Sequence, residues 1–359
     1  MHRIKRCKGM AELIETIEKE KGLGKIIAAE IAPAVRVSIG EAFGVKGSNL
    51  IGKIVAFLKG IGVDYVVDTP IGADIITYCE AMEINDAINA KRSIFPIFNS
   101  CCSGWRLYAK KMHPELLPYI SKFISPQMAA GMAAKHEIAS RLSKSFDDIY
   151  MISIMPCTSK RIEEKKASNG HTYIDRVFTC IELEECIREK GVDFLGLKEE
   201  SMSDILSECS STGLNFGSSG GVMNAVLQSL AKVRKEELKI EYSREDFITK
   251  GRAKIGEIEL EVAIVYGFDN FEGFYKGIKN GARYDIIEVM MCNHGCIGGP
   301  SQPPANGDIL EIRANALQKS AMEKQRKTAV DSNIRQIILP MYSSEEFKGM
   351  FYFTDETFA

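Results

Sequence analysis

Short runs rich in Ile and Val alternate along the chain with longer stretches whose apolar residues recur every three or four positions. Side chains repeat every two residues in a strand and about every 3.6 in a helix, so this alternation predicts strands connected by helices, with the strands largely parallel. Strands are predicted at Lys25–Ile31, Asp64–Asp68, Ile94–Phe98, Ile149–Met155, Arg176–Cys180, Glu259–Tyr266 and Asp285–Met290. Helices are predicted around residues 10–21, 49–59, 73–90, 104–112, 127–143, 181–189, 221–236, 270–278 and 313–327. Lys239–Glu259 reads as an antiparallel excursion turning at Gly251, and the polar stretch Glu163–Gly170 separates two halves.

The predicted fold class is α/β, with two lobes of mainly parallel sheets flanked by helices and a site in the cleft between them. Residues 1–24 are predicted as an N-terminal helical extension and 25–303 as the main domain. Within it, lobe one covers about 25–156 and lobe two about 157–303; residues 304–359 are predicted as a helical tail packed on the outside. There is no internal repeat and no low-complexity segment.

Composition narrows the classes of function. The 359 residues are 45% hydrophobic and 26% charged, an ordinary globular balance that excludes a disordered or fibrous chain. Forty-six basic against 48 acidic residues leave a net charge of -2, so no basic field attracts nucleic acid or anionic lipid. No apolar run approaches the roughly 18 to 20 residues that span a bilayer, and membrane insertion is not expected. The basic start Met1–Cys7 leads into a charged helical pattern rather than a signal-peptide apolar stretch, which predicts a cytoplasmic location. Ten cysteines are too sparse for a disulfide scaffold at this length, so free thiols or metal thiolates are expected.

Three stretches carry candidate chemistry. In Phe98-Asn99-Ser100-Cys101-Cys102-Ser103-Gly104-Trp105 an apolar strand runs into two adjacent cysteines, whose side chains diverge at a strand end and can serve different purposes. In Ile154-Met155-Pro156-Cys157-Thr158-Ser159-Lys160, Pro156 favours termination of a strand and presents Cys157 at its tip, with a lysine three residues on. In Glu288-Val289-Met290-Met291-Cys292-Asn293-His294-Gly295-Cys296-Ile297-Gly298-Gly299, a strand delivers Cys292 and a glycine-studded turn returns Cys296. Taken singly, each is equally readable as a buried core thiol, and His294 reads better as a solvent-facing histidine than as a ligand. Zinc knuckles favour C-x2-C, whereas an iron–sulfur cluster is larger than one ion and accepts the wider C-x3-C spacing. Cys102, Cys157, Cys292 and Cys296 together would complete a four-thiolate iron–sulfur site, leaving Cys101 free as an acid or base.

These three stretches resemble, in order and separation, the signature motifs of FeFe (iron-only) hydrogenases, and the likeness runs from about Ile31 to Pro303. Ala32-Pro33-Ala34-Val35-Arg36-Val37 is similar to the family's early loop, Gly72-Ala73-Asp74 to the start of its next helix, and Phe216-Gly217-Ser218-Ser219-Gly220-Gly221 to its glycine-rich loop. The resemblance implies that Cys102, Cys157, Cys292 and Cys296 hold a 4Fe-4S cube. It implies that Cys296 also bridges to a two-iron unit bearing CO, cyanide and azadithiolate, the whole forming the H-cluster. By the same likeness, Cys101 exchanges protons with the bridge amine and Lys160 donates to one cyanide. Met155, Met290, Gln127, Phe216 and Gly217 line the pocket, and Pro33 and Ala34 lie beside the other cyanide. Glu80, Ser121 and Glu83 correspond to a relay from Cys101 to the surface; without that frame, Glu80 and Glu83 read as two carboxylates on one helical face.

The chain departs from the family pattern at several places. Asn99 and Ser103 stand where Thr and Pro are usual, Met291 where Ala is usual, Ala34 where Ser is common, and Pro300 and Ser301 interrupt the glycine-rich ending. There is no C-x2-C-x2-C-x3-C run, so electrons are expected to come directly from ferredoxin or another electron-carrier protein. Maturation proteins supplying the two-iron unit, and an anaerobic setting, are also implied. The glycines of residues 217–221 match neither G-x-G-x-x-G nor a P-loop, so no nucleotide is expected.

The leading reading is reversible reduction of protons to H2. A regulatory H2 sensor with low turnover would use the same cluster and suits the altered motif flanks. An iron–sulfur assembly protein would keep the cube without the two-iron unit, against which Cys101 and Lys160 both speak. A cysteine-nucleophile enzyme would need His113 or His294 beside Cys101 as its base.

Overall fold

A computed structural model of the chain describes residues 9–91, 95–167, 169–206, 208–245, 248–334 and 344–353. Among the described residues the strands are β1 (Ile26–Ile31), β2 (Tyr65–Asp68), β3 (Ile97–Phe98), β4 (Ile149–Met155), β5 (Arg176–Thr179), β6 (Leu238–Glu245), β7 (Ile248–Ile255), β8 (Ile258–Tyr266) and β9 (Ile286–Met290). They form two sheets, a four-stranded one in the order β2-β1-β4-β5 and a five-stranded one in the order β3-β9-β8-β7-β6. All pairings of the first sheet are parallel. In the second, β9 runs parallel to β3 and β8, while β6, β7 and β8 form antiparallel pairs. The fold is α/β, as the alternation of short apolar runs and helical periods predicts.

Parallel strands require crossovers, and helices supply them; β4, buried along almost its whole length, has both faces covered. The helix Pro70–Asn89 is buried nearly all round, the mark of a helix inside the protein rather than on its surface. It packs against the helices Pro126–Leu142 and Gly221–Arg234 and contributes to two hydrophobic cores, Ile75 and Tyr78 to the first and Ala81 and Ile84 to the second. Its contact with the first of these depends on Gly72, where an added Cβ would lie 1.9 Å from the Pro126 carbonyl oxygen. This central helix carries Glu80 and Glu83.

Several expectations need correcting. The sheets do not divide the chain at residue 156: β3, from the first half, joins the second sheet, and β5, from the second half, extends the first. Pairing is a long-range choice that local periodicity does not encode. Gly251 is not a turn but lies inside β7 opposite Tyr242, where a Cβ would come 2.5 Å from the Tyr242 ring. The β7–β8 turn is made at Gly256, in the left-handed region at φ +57. Of the strand predicted from Ile94, that residue lies outside the described residues and the strand is Ile97–Phe98. The C-terminal tail is not merely laid on the outside. Arg313, on the helix Gly307–Met322, is buried against Glu41 at 2.6 Å and donates to the Pro303 carbonyl, and Phe347 and Phe351 are fully buried. Among the described residues, no helix is long and apolar enough to cross a membrane.

Candidate active site at the strand ends

Three strands end where the cysteines begin. After β3, Asn99 and Ser100 lead to Cys101, and Cys102 occupies the N-cap position of the helix Ser103–Met112 with extended backbone. After β4, Pro156 is followed by an extended Cys157, which opens a 3-10 turn over Thr158–Glu163. After β9, the chain passes Cys292 and reverses through His294 and Gly295, both at positive φ, to reach Cys296. Close backbone approaches hold the loops together. Ser301 donates to the Pro156 carbonyl at 3.0 Å, and a Cβ on Gly299 would come within 2.6 Å of that same oxygen. Ser218 bridges to Gly295, and a Cβ on Gly217 would meet Pro33 Cγ at 3.2 Å and Cys296 Cβ at 3.8 Å.

Cys102, Cys157, Cys292 and Cys296 therefore converge, each partly buried. Burial pushes the Cys292 thiol up to about 12, and charge on Cys102 and Cys157 adds to the effect. Burial likewise drives Cys296 well above the usual thiol range, reinforced by Cys157, Cys102, Cys101 and Cys292. Four thiols whose ionised forms oppose one another suit a polycationic group that takes them as thiolates. Among the described residues, no three His, Cys, Asp or Glu side chains are grouped closely enough to hold a single metal ion.

Cys101 has a different environment. Asn99 Nδ2 donates to its sulfur at 3.0 Å, and Lys160 Nζ donates to its carbonyl oxygen, also at 3.0 Å. Burial first, then the neighbouring Cys102, keeps the thiol protonated. His113, a candidate base, is instead paired with Glu272 at 2.7 Å.

A buried carboxylate organises the floor. Glu163 accepts from Ser103 at 2.7 Å, Ser125 at 2.6 Å, Gln127 at 3.2 Å and Lys160 at 3.2 Å, and pairs with Arg106. Burial alone would raise its carboxyl, but Lys160, Arg106 and the serine hydroxyls outweigh it and hold it below the usual range. Gln127 also donates to the Lys160 carbonyl at 3.3 Å and accepts from Ser153 at 3.2 Å. Glu163 escaped the sequence reading because it opens a polar stretch; the available signal was its i,i+3 spacing from Lys160.

Glu80 and Ser121 meet, the hydroxyl donating to Glu80 Oε1 at 2.6 Å, while Glu83 pairs with Lys122. Burial pushes Glu80 up to about 7. All three relay candidates line a small cavity of about 20 Å³ available to water centres, room for one water molecule. Asn99 and Glu288 line it too, and Glu288 was not anticipated as more than a strand residue.

Met155 and Met290 are the last residues of β4 and β9 and are buried, as is Ala34; Pro33 is partly buried against Gly217. Phe216 packs in the second core with Met290, against which Cys101 and Cys102 also rest. Cys79, Cys180, Cys186 and Cys209 are buried thiols with other neighbours, and Cys7 lies outside the described residues.

Residues 25–300 match the family model described as iron only hydrogenase large subunit, C-terminal domain. The chain belongs to this family. It is 35% identical over 309 residues to iron hydrogenase 1 of Clostridium pasteurianum, covering 82% of this chain. It is 29% identical over 310 residues to a cytosolic Fe-S cluster assembly factor of Danio rerio, covering 80% of this chain and 75% of that protein. A solved variant of the [FeFe]-hydrogenase HydA1 from Chlamydomonas reinhardtii superimposes with a TM-score of 0.80 at 25% identity, over 95% of this chain and 98% of that one. The chain spans only 54% and 59% of the length of two hydrogenase relatives it matches.

An iron–sulfur cluster is the group expected in this iron-only hydrogenase family, and the donor set fits it. Four thiols from three loops lie near enough for the charge on one to act on another, and Gly217 leaves room beside Pro33 and Cys296 that a side chain would fill.

Proposed function

We propose that this chain is an FeFe hydrogenase that interconverts protons and H2 with electrons from ferredoxin or another carrier protein. In this reading Cys102, Cys157, Cys292 and Cys296 would hold a 4Fe-4S cube, and the site would also take a two-iron unit bearing CO, cyanide and azadithiolate, supplied by maturation proteins. When bound, that assembly supplies the redox chemistry and the site for H2. The chain's own residues supply position and protons. Lys160, largely buried and donating to the Cys101 carbonyl and to Glu163, would set its ammonium beside an anionic ligand of the assembly, while Ala34 offers no hydroxyl there. Met155, Met290 and Phe216 exclude water. Cys101 Sγ holds a proton, and Glu80 Oε1, joined to Ser121 Oγ, takes it onward towards Glu83.

The observation that carries this reading is the placement of Cys101 beside the four convergent thiols, its sulfur fixed by Asn99 and its backbone by Lys160. A group that needs only structural thiolates has no use for a fifth, protonated thiol. The competing reading, an iron–sulfur assembly protein, draws on the 29% identity to an assembly factor. Anaerobic loading with the two-iron unit, followed by infrared spectroscopy and an H2 assay with a reduced dye on one sample, separates the two. Bands of iron-bound CO and cyanide with H2 evolution are expected. A reconstituted cube that retains no such bands and evolves no H2 would overturn the reading in favour of assembly.

A further inference from the structure

The small cavity beside Glu80 has a second carboxylate in its wall. Glu288, on β9, is buried and lines the cavity together with Glu80, Asn99 and Ser121. Its two oxygens have separate duties. Oε2 accepts from the Met223 amide at 2.6 Å at the start of the helix Gly221–Arg234, whose N-cap, Gly220, has no side chain to offer. Oε1 accepts from the Tyr266 hydroxyl at 2.6 Å. Capping therefore accounts for one oxygen and leaves the other facing a hydroxyl.

That hydroxyl is itself bonded outward. The Tyr266 oxygen accepts from the Gly220 amide, and the Ser219 hydroxyl lies beside it. Ser219 is exposed and, with Tyr266, lines an open cleft of about 520 Å³ on the far side. Each hydroxyl in the row from Ser219 to Tyr266 to Glu288 can accept one proton and donate another. We infer that Ser219, Tyr266 and Glu288 form a second proton-conducting branch, joining the cavity at Glu80 and Asn99 to solvent independently of Ser121 and Glu83.

Transfer inward balances at every atom. Ser219 Oγ receives a proton from a hydronium ion and gives its own to the Tyr266 oxygen; Tyr266 gives its hydroxyl proton to Glu288 Oε1, and rotation of the neutral carboxyl turns that O–H to the cavity, where one water accepts it and passes a proton on to the Glu80 carboxylate. The groups facing Glu288 are Tyr266, the Gly220, Val222 and Met223 amides, and across the cavity Glu80 and Glu83; no residue lining the cavity is basic. Burial pushes Glu288 up to about 7, within reach of both protonation states at neutral pH. Its charge is also among those that act on Cys101.

The inference rests on the hydrogenase reading only for the proton's destination; the wire itself can be tested without turnover. In the anaerobically purified full-length chain, the infrared carbonyl bands of protonated carboxyls are assigned by their loss in E288Q and E80Q, then followed after transfer into D2O. Y266F is expected to slow deuteration of the Glu288 band by on the order of tenfold, the effect of one lost hydrogen bond on a transfer barrier, and to leave the Glu80 band's rate unchanged. S121A should do the reverse. Equal exchange of the Glu288 band in Y266F and the unmodified chain, or no carboxyl band lost in E288Q, would overturn the inference. In loaded protein that turns over, E80Q should keep residual activity that adding Y266F removes; absence of all turnover would count against the hydrogenase reading while leaving the exchange result decisive.

Discussion

Asn99 fixes Cys101 through an amide that is itself fixed: Asn99 Oδ1 accepts from the Val289 amide at 2.6 Å, which turns Nδ2 to the Cys101 sulfur at 3.0 Å. Asn99→Ala should lower H2 turnover by about tenfold, the scale of one hydrogen bond, while leaving the CO and cyanide bands of the loaded protein intact. Cys101→Ala should retain the same bands and lose most turnover. The two assays on shared samples check both, and equal activity in Cys101→Ala would remove the proton role assigned to that thiol.

Glu163 balances Arg106, with which it is fully buried, and the largely buried Lys160. Removing one partner of a buried ion pair leaves a charge uncompensated, so Glu163→Gln should cost about 3–5 kcal/mol of stability. Urea unfolding measures it; a loss under about 1 kcal/mol, the scale of an exposed pair, would show that the network is hydrated.

The strands that deliver the cysteines were legible because each is a short apolar run ending at Phe98, Met155 or Met290, and local pattern suffices for that. The grouping of Cys102, Cys157, Cys292 and Cys296 was suggested by their strand-end positions and strengthened by the resemblance, since nothing local brings residues so far apart in the chain together. The sheet order was not readable: β5 beside β4 and β3 beside β9 are long-range pairings. Glu163, Asn99 and Glu288 were missed as functional neighbours because burial of a polar side chain is a tertiary fact; in the sequence they look like loop or strand residues. Gly251 misled because a glycine that shelters an aromatic ring across a strand pair reads like one that makes a turn.

Burial raises Glu80 from its ordinary 4.5 to about 7, and this makes stability depend on pH. Below pH 4.5 the carboxyl is protonated in both folded and unfolded chains, and its burial is not opposed by charge. As pH rises towards 7 the unfolded chain ionises first, so folded stability falls by on the order of 3 kcal/mol and stays lowered above that. Glu80→Gln should match the unmodified chain in acid and exceed it above neutrality, measured by urea midpoints at both ends. A constant offset across the range would contradict the assigned burial.

Burial holds the Cys292 and Cys296 thiols in their protonated forms, so cluster binding must release protons. Iron and sulfide retained after anaerobic dialysis should fall steadily as pH is lowered. Retention independent of pH would mean that other atoms hold the iron.

The most direct measurement is a Mössbauer spectrum of the anaerobically reconstituted chain, compared with single Ala variants of Cys102, Cys157, Cys292 and Cys296. One 4Fe-4S cube per chain, retained in Cys101→Ala and weakened or lost in each of the other four, is the predicted result. A spectrum of isolated iron or a two-iron cluster, or a cube indifferent to those four substitutions, would contradict the account.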